Sequence, residues 1–288
     1  MSLQSTIRNA FIAAAGFSAT MAGPARAGEW PYFVTYSHEM EEPGNLEIGV
    51  RNALLKPDAG HRFLGTAFEF EYGVTRRLTT ELYVDGQATG GDSALFTGFR
   101  WENRVQLLKN EHWINPVLYV EYEQLNGADK TLLEVVGHDG QEDLLDANAV
   151  ARRERKREIE AKLILGSNFK GWNVSENFIA EKNLAHEPFE FGYAVAASRP
   201  LSRTEGHCSF CLRTTRVGAE LYGGLGTHDQ FGFRETSQYA AATLRLQLSP
   251  NTWMTVSPGF GLTQTSAPYV LRFGVTYEIN GFGSYFHR

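Results

Sequence analysis

The chain has 288 residues and a formal net charge of −6, and 12% of it is aromatic, which excludes a disordered or low-complexity polymer. After the first residues, no apolar run is long enough for a spanning helix. The negative charge argues against a nucleic-acid partner.

Residues 1–27 carry no acidic side chain. Arg8 supplies a positive start, and an apolar stretch begins at Ala10. Ala25-Arg26-Ala27 is a small-x-small cleavage signature. This pattern predicts a secretory leader cut between Ala27 and Gly28. Its removal, with Arg8 and Arg26, takes the charge from −6 to −8.

Residues 28–45 form a separate pre-barrel segment. Trp30 to Met40, with Tyr32, Val34 and Tyr36 in alternation, has the look of an extra strand. A closed barrel with both ends in the periplasm needs an even number of strands, so the segment is read as periplasmic or tucked into the lumen. Glu41-Glu42-Pro43-Gly44-Asn45 is the turn that follows.

From Leu46 to the end, apolar and polar residues alternate with period two, the mark of strands with two unlike faces. Leu46, Ile48, Val50 and Leu54 oppose Glu47, Gly49 and Arg51. Phe68, Phe70 and Tyr72 oppose Glu69 and Glu71. Leu82 and Val84 oppose Glu81, Tyr83 and Asp85. Over Ala94–Leu107, Leu95, Thr97, Phe99, Trp101, Asn103 and Val105 oppose Phe96, Gly98, Arg100, Glu102 and Arg104. Leu118, Val120 and Tyr122 oppose Glu121 and Glu123, and Ile159, Ala161 and Leu163 oppose Glu160 and Lys162. In Trp172–Leu184, Glu176 falls on the face of Val174 and Phe178. Further on, Leu221 opposes Glu220, Leu244 opposes Arg245, and Leu271 and Phe273 oppose Arg272.

Twelve such strands fit a soluble sandwich or a transmembrane barrel. Strand length, even count and connections that alternate between tight and long favour the second. The expectation is an all-β, antiparallel transmembrane barrel of about 12 strands in meander order, spanning residues 46–288. Trp113, Trp172 and Trp253 stand beside tight turns, where an interfacial girdle belongs.

Two stretches carry a resemblance. Glu71-Tyr72-Gly73-Val74-Thr75-Arg76-Arg77-Leu78 and Gly218-Ala219-Glu220-Leu221-Tyr222-Gly223-Gly224-Leu225-Gly226 resemble hairpins of uncharacterised proteobacterial outer-membrane barrels, near those of aromatic-degradation transport. The resemblance implies an outer-membrane barrel and carries no catalytic residue. Unlike such barrels, which usually end on an aromatic residue, this chain ends on His287-Arg288.

The inward face is expected to hold Glu69, Glu71, Glu81, Asp85, Glu102, Glu121, Glu123 and Glu220, facing Arg100, Arg104, Lys162, Arg245 and Arg272. Such a lumen either passes cations or polar solutes, or is plugged by pairing across strands. The functional expectation is a channel or transporter for small solutes. A closed barrel serving as an anchor or interaction module is the alternative. A barrel hydrolase is the weaker third: no Ser-His pair of compatible strand phase and no metal-binding His-Glu-x-x-His stands out, and no cofactor is implied. The partners expected are outer-membrane lipid and lipopolysaccharide. Arg152 to Arg157, the basic end of the longest connection, either meets lipopolysaccharide phosphate or is a solvated loop.

Cys208 and Cys211 sit three apart in an exported chain, a spacing read as a local disulfide before a redox or metal pair. Strand parity puts them in a long periplasmic connection. Folded protein is expected to resist thiol alkylation until it is reduced. Immediate labelling without reductant counts against the bridge. The double Ser variant should lose only about 2 kcal/mol, because the enclosed loop is tiny.

Overall fold

The computed structural model describes residues 31–132, 135–185, 187–201 and 215–286. The leader, its cleavage site at Ala27 and Gly28, and the Cys208–Cys211 pair lie outside these residues. The period-two segments form twelve strands: β1 (Leu46–Leu55), β2 (Phe63–Thr75), β3 (Leu78–Thr89), β4 (Ala94–Gln106), β5 (Asn115–Asn126), β6 (Arg155–Phe169), β7 (Trp172–Asn183), β8 (Phe189–Pro200), β9 (Arg216–Thr227), β10 (Gln238–Ser249), β11 (Thr252–Gly261) and β12 (Tyr269–Ile279).

Every strand pairs antiparallel with its sequence neighbours, and β1 pairs β12 from Leu46↔Ile279 to Leu55↔Val270. The sheet is therefore a closed meander barrel. Closure gives every strand a neighbour on both sides and leaves no open edge of backbone donors and acceptors.

The outward face is apolar. Phe68, Trp101, Val120 and Phe178 are each 50–53% exposed, and Leu82, Leu118, Leu163, Leu221, Leu271 and Val275 join them. An apolar surface around the whole wall suits lipid, not water. Glu176 does face outward, exposed between Leu165 and Val195 of the adjoining strands.

The connections after β2, β4, β6 and β10 are tight. The connection from β8 to β9 begins and ends at this same rim, as do the start of β1 and the end of β12. The opposite rim carries the longest connection, between β5 and β6. It contains a 3₁₀ turn at Gln141–Leu144 and one short helical turn, α1 (Asn148–Ala151).

Two facing expectations fail. In β4 the register slips where Asp85 pairs Gly98 while Gly86 pairs Phe96. This bulge inserts one residue and reverses the phase beyond it. Phe96 therefore points out, 63% exposed, and Thr97 points in, 2% exposed, where it donates to Asp129 at 2.6 Å. Trp253 is not part of an interfacial girdle. It is turned inward and 9% exposed, beneath the Arg245 guanidinium at 5.2 Å. Trp113 and Trp172 do face outward, and Trp113 packs edge-on against Phe169 at 5.2 Å.

Arg at Phe178, midway along β7 on the lipid face, should lower folding stability by roughly 2–4 kcal/mol and reduce the folded fraction. Val150→Arg, on the exposed turn α1, should leave it unchanged. Urea titration in lipid vesicles, read by heat-dependent gel mobility, measures both, and equal tolerance would refute the facing.

Candidate functional site

The lumen is filled. Residues 31–42 turn back from the start of β1 into the barrel. Tyr32, Phe33, Val34, Thr35, Tyr36 and His38 are all buried there. Their alternation is that of a strand, yet they join no sheet and bind the wall side chain by side chain. The backbone N–H groups of Phe33, Val34 and Thr35 all donate to Oε1 of Glu220, each at 3.0 Å. Three amides on one carboxylate oxygen make a charge-assisted cradle of the kind that binds anions. Asn177 brackets Tyr36, accepting from its N–H at 2.6 Å and donating to its carbonyl at 2.9 Å. The Tyr32 hydroxyl donates to Ser198 at 2.8 Å, and the Glu41 N–H donates to Thr79 at 3.2 Å. These partners lie in the half of the barrel nearest the tight turns.

Gly166, in β6, faces the segment. A Cβ there would overlap the His38 ring, so glycine is what lets the segment lie against the wall.

Above the segment lies a layer of paired charges. Arg100 is 2% exposed and makes a two-pronged contact with Asp85, at 2.8 and 3.0 Å, with Glu121 at 3.8 Å. Its guanidinium rests 4.3 Å from the centre of the Tyr83 ring. Arg104 pairs with Glu71, with Glu102 at 2.8 Å and with Glu81 at 3.4 Å. Arg51 meets Glu69 at 2.6 Å, and Lys162 meets Glu160 at 2.7 Å. Tyr36 ties the segment to this layer by donating to Glu102 at 2.9 Å. Burial, with Glu102 and Glu81 close by, holds its phenol well above the ordinary value, so it stays a neutral donor.

Two trios of carboxylates, Glu47-Glu69-Glu71 and Glu121-Glu123-Glu160, converge closely enough to hold an ion. Protein cations already serve them: Arg51 and Arg104 in the first, Arg100 and Lys162 in the second.

The connection between β5 and β6 closes the other half. It folds inward, so that Val135 and Val136 are buried and the Leu132 carbonyl accepts from Arg272 Nη2 at 3.0 Å. Arg272 also donates to the Tyr222 hydroxyl. Gly137 bridges to Gly226, and Gln141 donates to Asp58 at 3.1 Å. Phe33 and Val34 of the N-terminal segment and Val135 of the connection share one apolar cluster with Leu55, Phe63, Tyr222, Tyr239 and Val270. The two inserts thus meet inside the wall. Between the inward connection and the wall, a cavity of about 230 Å³ remains.

Glu69, Glu71, Glu81, Asp85, Arg100, Glu102, Arg104, Glu121, Glu123, Lys162, Glu220, Arg245 and Arg272 are all buried on the inner side. Most are drawn into the paired layer; Glu220, Arg245 and Arg272 instead hold the N-terminal segment, Trp253 and the inward connection. The basic cluster divides: Arg152, Arg153, Arg155 and Arg157 are exposed, and Lys156 turns toward the cavity. The inward apolar residues were missed as a group, as was the part played by the inner connection. Leu55, Phe63, Val117, Ile164 and Val270 sit on the inner face, where alternation alone reads only polarity. Their signal is an apolar residue at an inward parity.

No family model and no curated protein sequence matches the chain. Among solved structures, an outer-membrane channel from Pseudomonas putida F1 is similar over 90% of this chain and 100% of its own, at 12% identity and a TM-score of 0.52. The KdgM porin is similar over 80% of this chain and 98% of its own, at 10% identity and a TM-score of 0.49. At these identities the likeness concerns the fold.

Arg104→Ala leaves Glu71, Glu81 and Glu102 buried without their shared cation. It should cost roughly 3–5 kcal/mol in urea unfolding, because uncompensated buried charge is expensive. A loss below about 1 kcal/mol, typical of solvated pairs, would mean that water reaches this layer.

Proposed function

We propose that this chain is an outer-membrane channel or transporter for small solutes, held closed in the described state by its own N-terminal segment. The observation that carries the reading is the seating of Phe33, Val34 and Thr35 on Glu220. The segment is tied to the wall by hydrogen bonds rather than woven into the sheet, so it can leave without breaking a strand pair. Cleavage of the leader after Ala27 places the new N-terminus at Gly28, only a few residues before the insert. The insert is then a free tail at the rim of the tight turns, which the reading assigns to the periplasm.

The apolar outer wall supports a lipid environment, and the exposed Arg152, Arg153, Arg155 and Arg157 are suited to lipopolysaccharide phosphate at the opposite rim. Kinship with barrels of aromatic-degradation transport belongs to the same proposal and rests on the two hairpin stretches alone. The runner-up is a permanently filled barrel that works as an anchor. The paired charge layer is the observation in its favour.

Planar-bilayer recording separates the two. Full-length protein should open rarely, whereas a chain lacking residues 31–40 should conduct steadily. Glu220→Ala should lie between them, since it removes only the cradle. Silence from all three, each still shifting mobility on heating, would overturn the channel and leave the anchor.

A further inference from the structure

We infer that the cavity at the rim of the long connections is a binding site for a small organic ammonium compound, a linear amine or diamine. The inference deepens the channel reading by naming a solute class, and it rests on that reading only for the solute's passage.

The cavity's charge is lopsided. Eight carboxylate side chains line it, against the two cations Arg100 and Lys156. Asp139 and Glu187 are exposed at its rim, and Glu158 and Glu181 are buried in its wall at 7% and 9% exposure. In a cleft with low-dielectric walls, such an excess of one sign concentrates the opposite charge.

A second observation points to a ligand. Ser237 is 1% exposed and lines the same cavity, and its hydroxyl has no hydrogen-bond partner among the described residues. Buried hydroxyls are otherwise nearly always satisfied. A bound donor in the cavity would answer it.

The shape selects the chemistry. A bare metal ion needs several oxygens converging at about 2.0–2.6 Å. Of the carboxylates lining the cavity, only Glu123 belongs to a converging trio, and its companions Glu121 and Glu160 lie outside the lining. The volume of about 230 Å³ far exceeds that of one ion. Leu132, Val135, Val136 and Leu144 supply an apolar wall opposite the acids. Spread acids around an apolar wall suit a cation that carries methylenes.

The test uses the full chain folded in detergent micelles, titrated calorimetrically at low salt with 1,4-diaminobutane and, separately, with neutral 1,4-butanediol. The diamine should bind saturably and the diol should not. Asp139→Asn combined with Glu187→Gln, at two exposed positions, should weaken the diamine about tenfold or more. Ser237→Ala should weaken it less. Equal heats from diamine and diol, or an unchanged affinity in the double variant, would overturn the site. Because binding is read without conductance, diamine binding in a barrel that never conducts would support the site while sinking the channel. A conducting barrel that ignores the diamine would do the reverse.

Discussion

Closing twelve strands into a ring obliges alternate side chains to point into one narrow space, and the rest of the structure follows from how that space is filled. In a sandwich those residues would face water and could stay unpaired. Inside this ring they face one another. Arg100, Arg104, Arg51 and Lys162 are almost fully withdrawn from solvent, each against one or more carboxylates. Charges so buried persist only when pairing and hydrogen bonds offset their lost hydration. The outward face meets the opposite demand, and so it carries Phe, Leu, Val and Trp.

The charge layer alone does not fill the barrel. Two inserts complete it, one from each rim, and they meet in a shared apolar cluster around Tyr222 and Val270. They are held differently. The connection between β5 and β6 is anchored at both ends by strands and reaches deep through Leu132 and Gly137. The N-terminal segment is anchored at one end only, through β1, and depends on Glu220, Asn177 and Glu102 for the rest. That asymmetry makes the N-terminal segment the part able to leave, while the connection stays to shape the acidic cavity above it.

The barrel was legible because it depends on period-two alternation, which survives in the sequence strand by strand. The pairs Glu220–Leu221 and Arg272–Phe273 show it plainly. The bulge at Gly98 was not legible. Thr97 and Phe96 exchange faces because one residue is added to the ladder, and neither side chain announces that. Trp253 misled for a related reason: a tryptophan beside a tight turn suits the membrane interface, but its parity, opposite to Met254 and Val256, turned it under Arg245.

The sequence by itself determined the strands, their number, their two faces and the charge types on the inner one, because each depends on residues adjacent in the chain. It left Tyr32, Val34 and Tyr36 without a partner and the inner carboxylates without assigned cations. Only the tertiary structure decided those. Glu220 lies 185 residues or more from the amides it accepts, and Arg104 lies 33 from Glu71 and 23 from Glu81. Contacts across a lumen depend on closure and stagger, and those are properties of the whole ring.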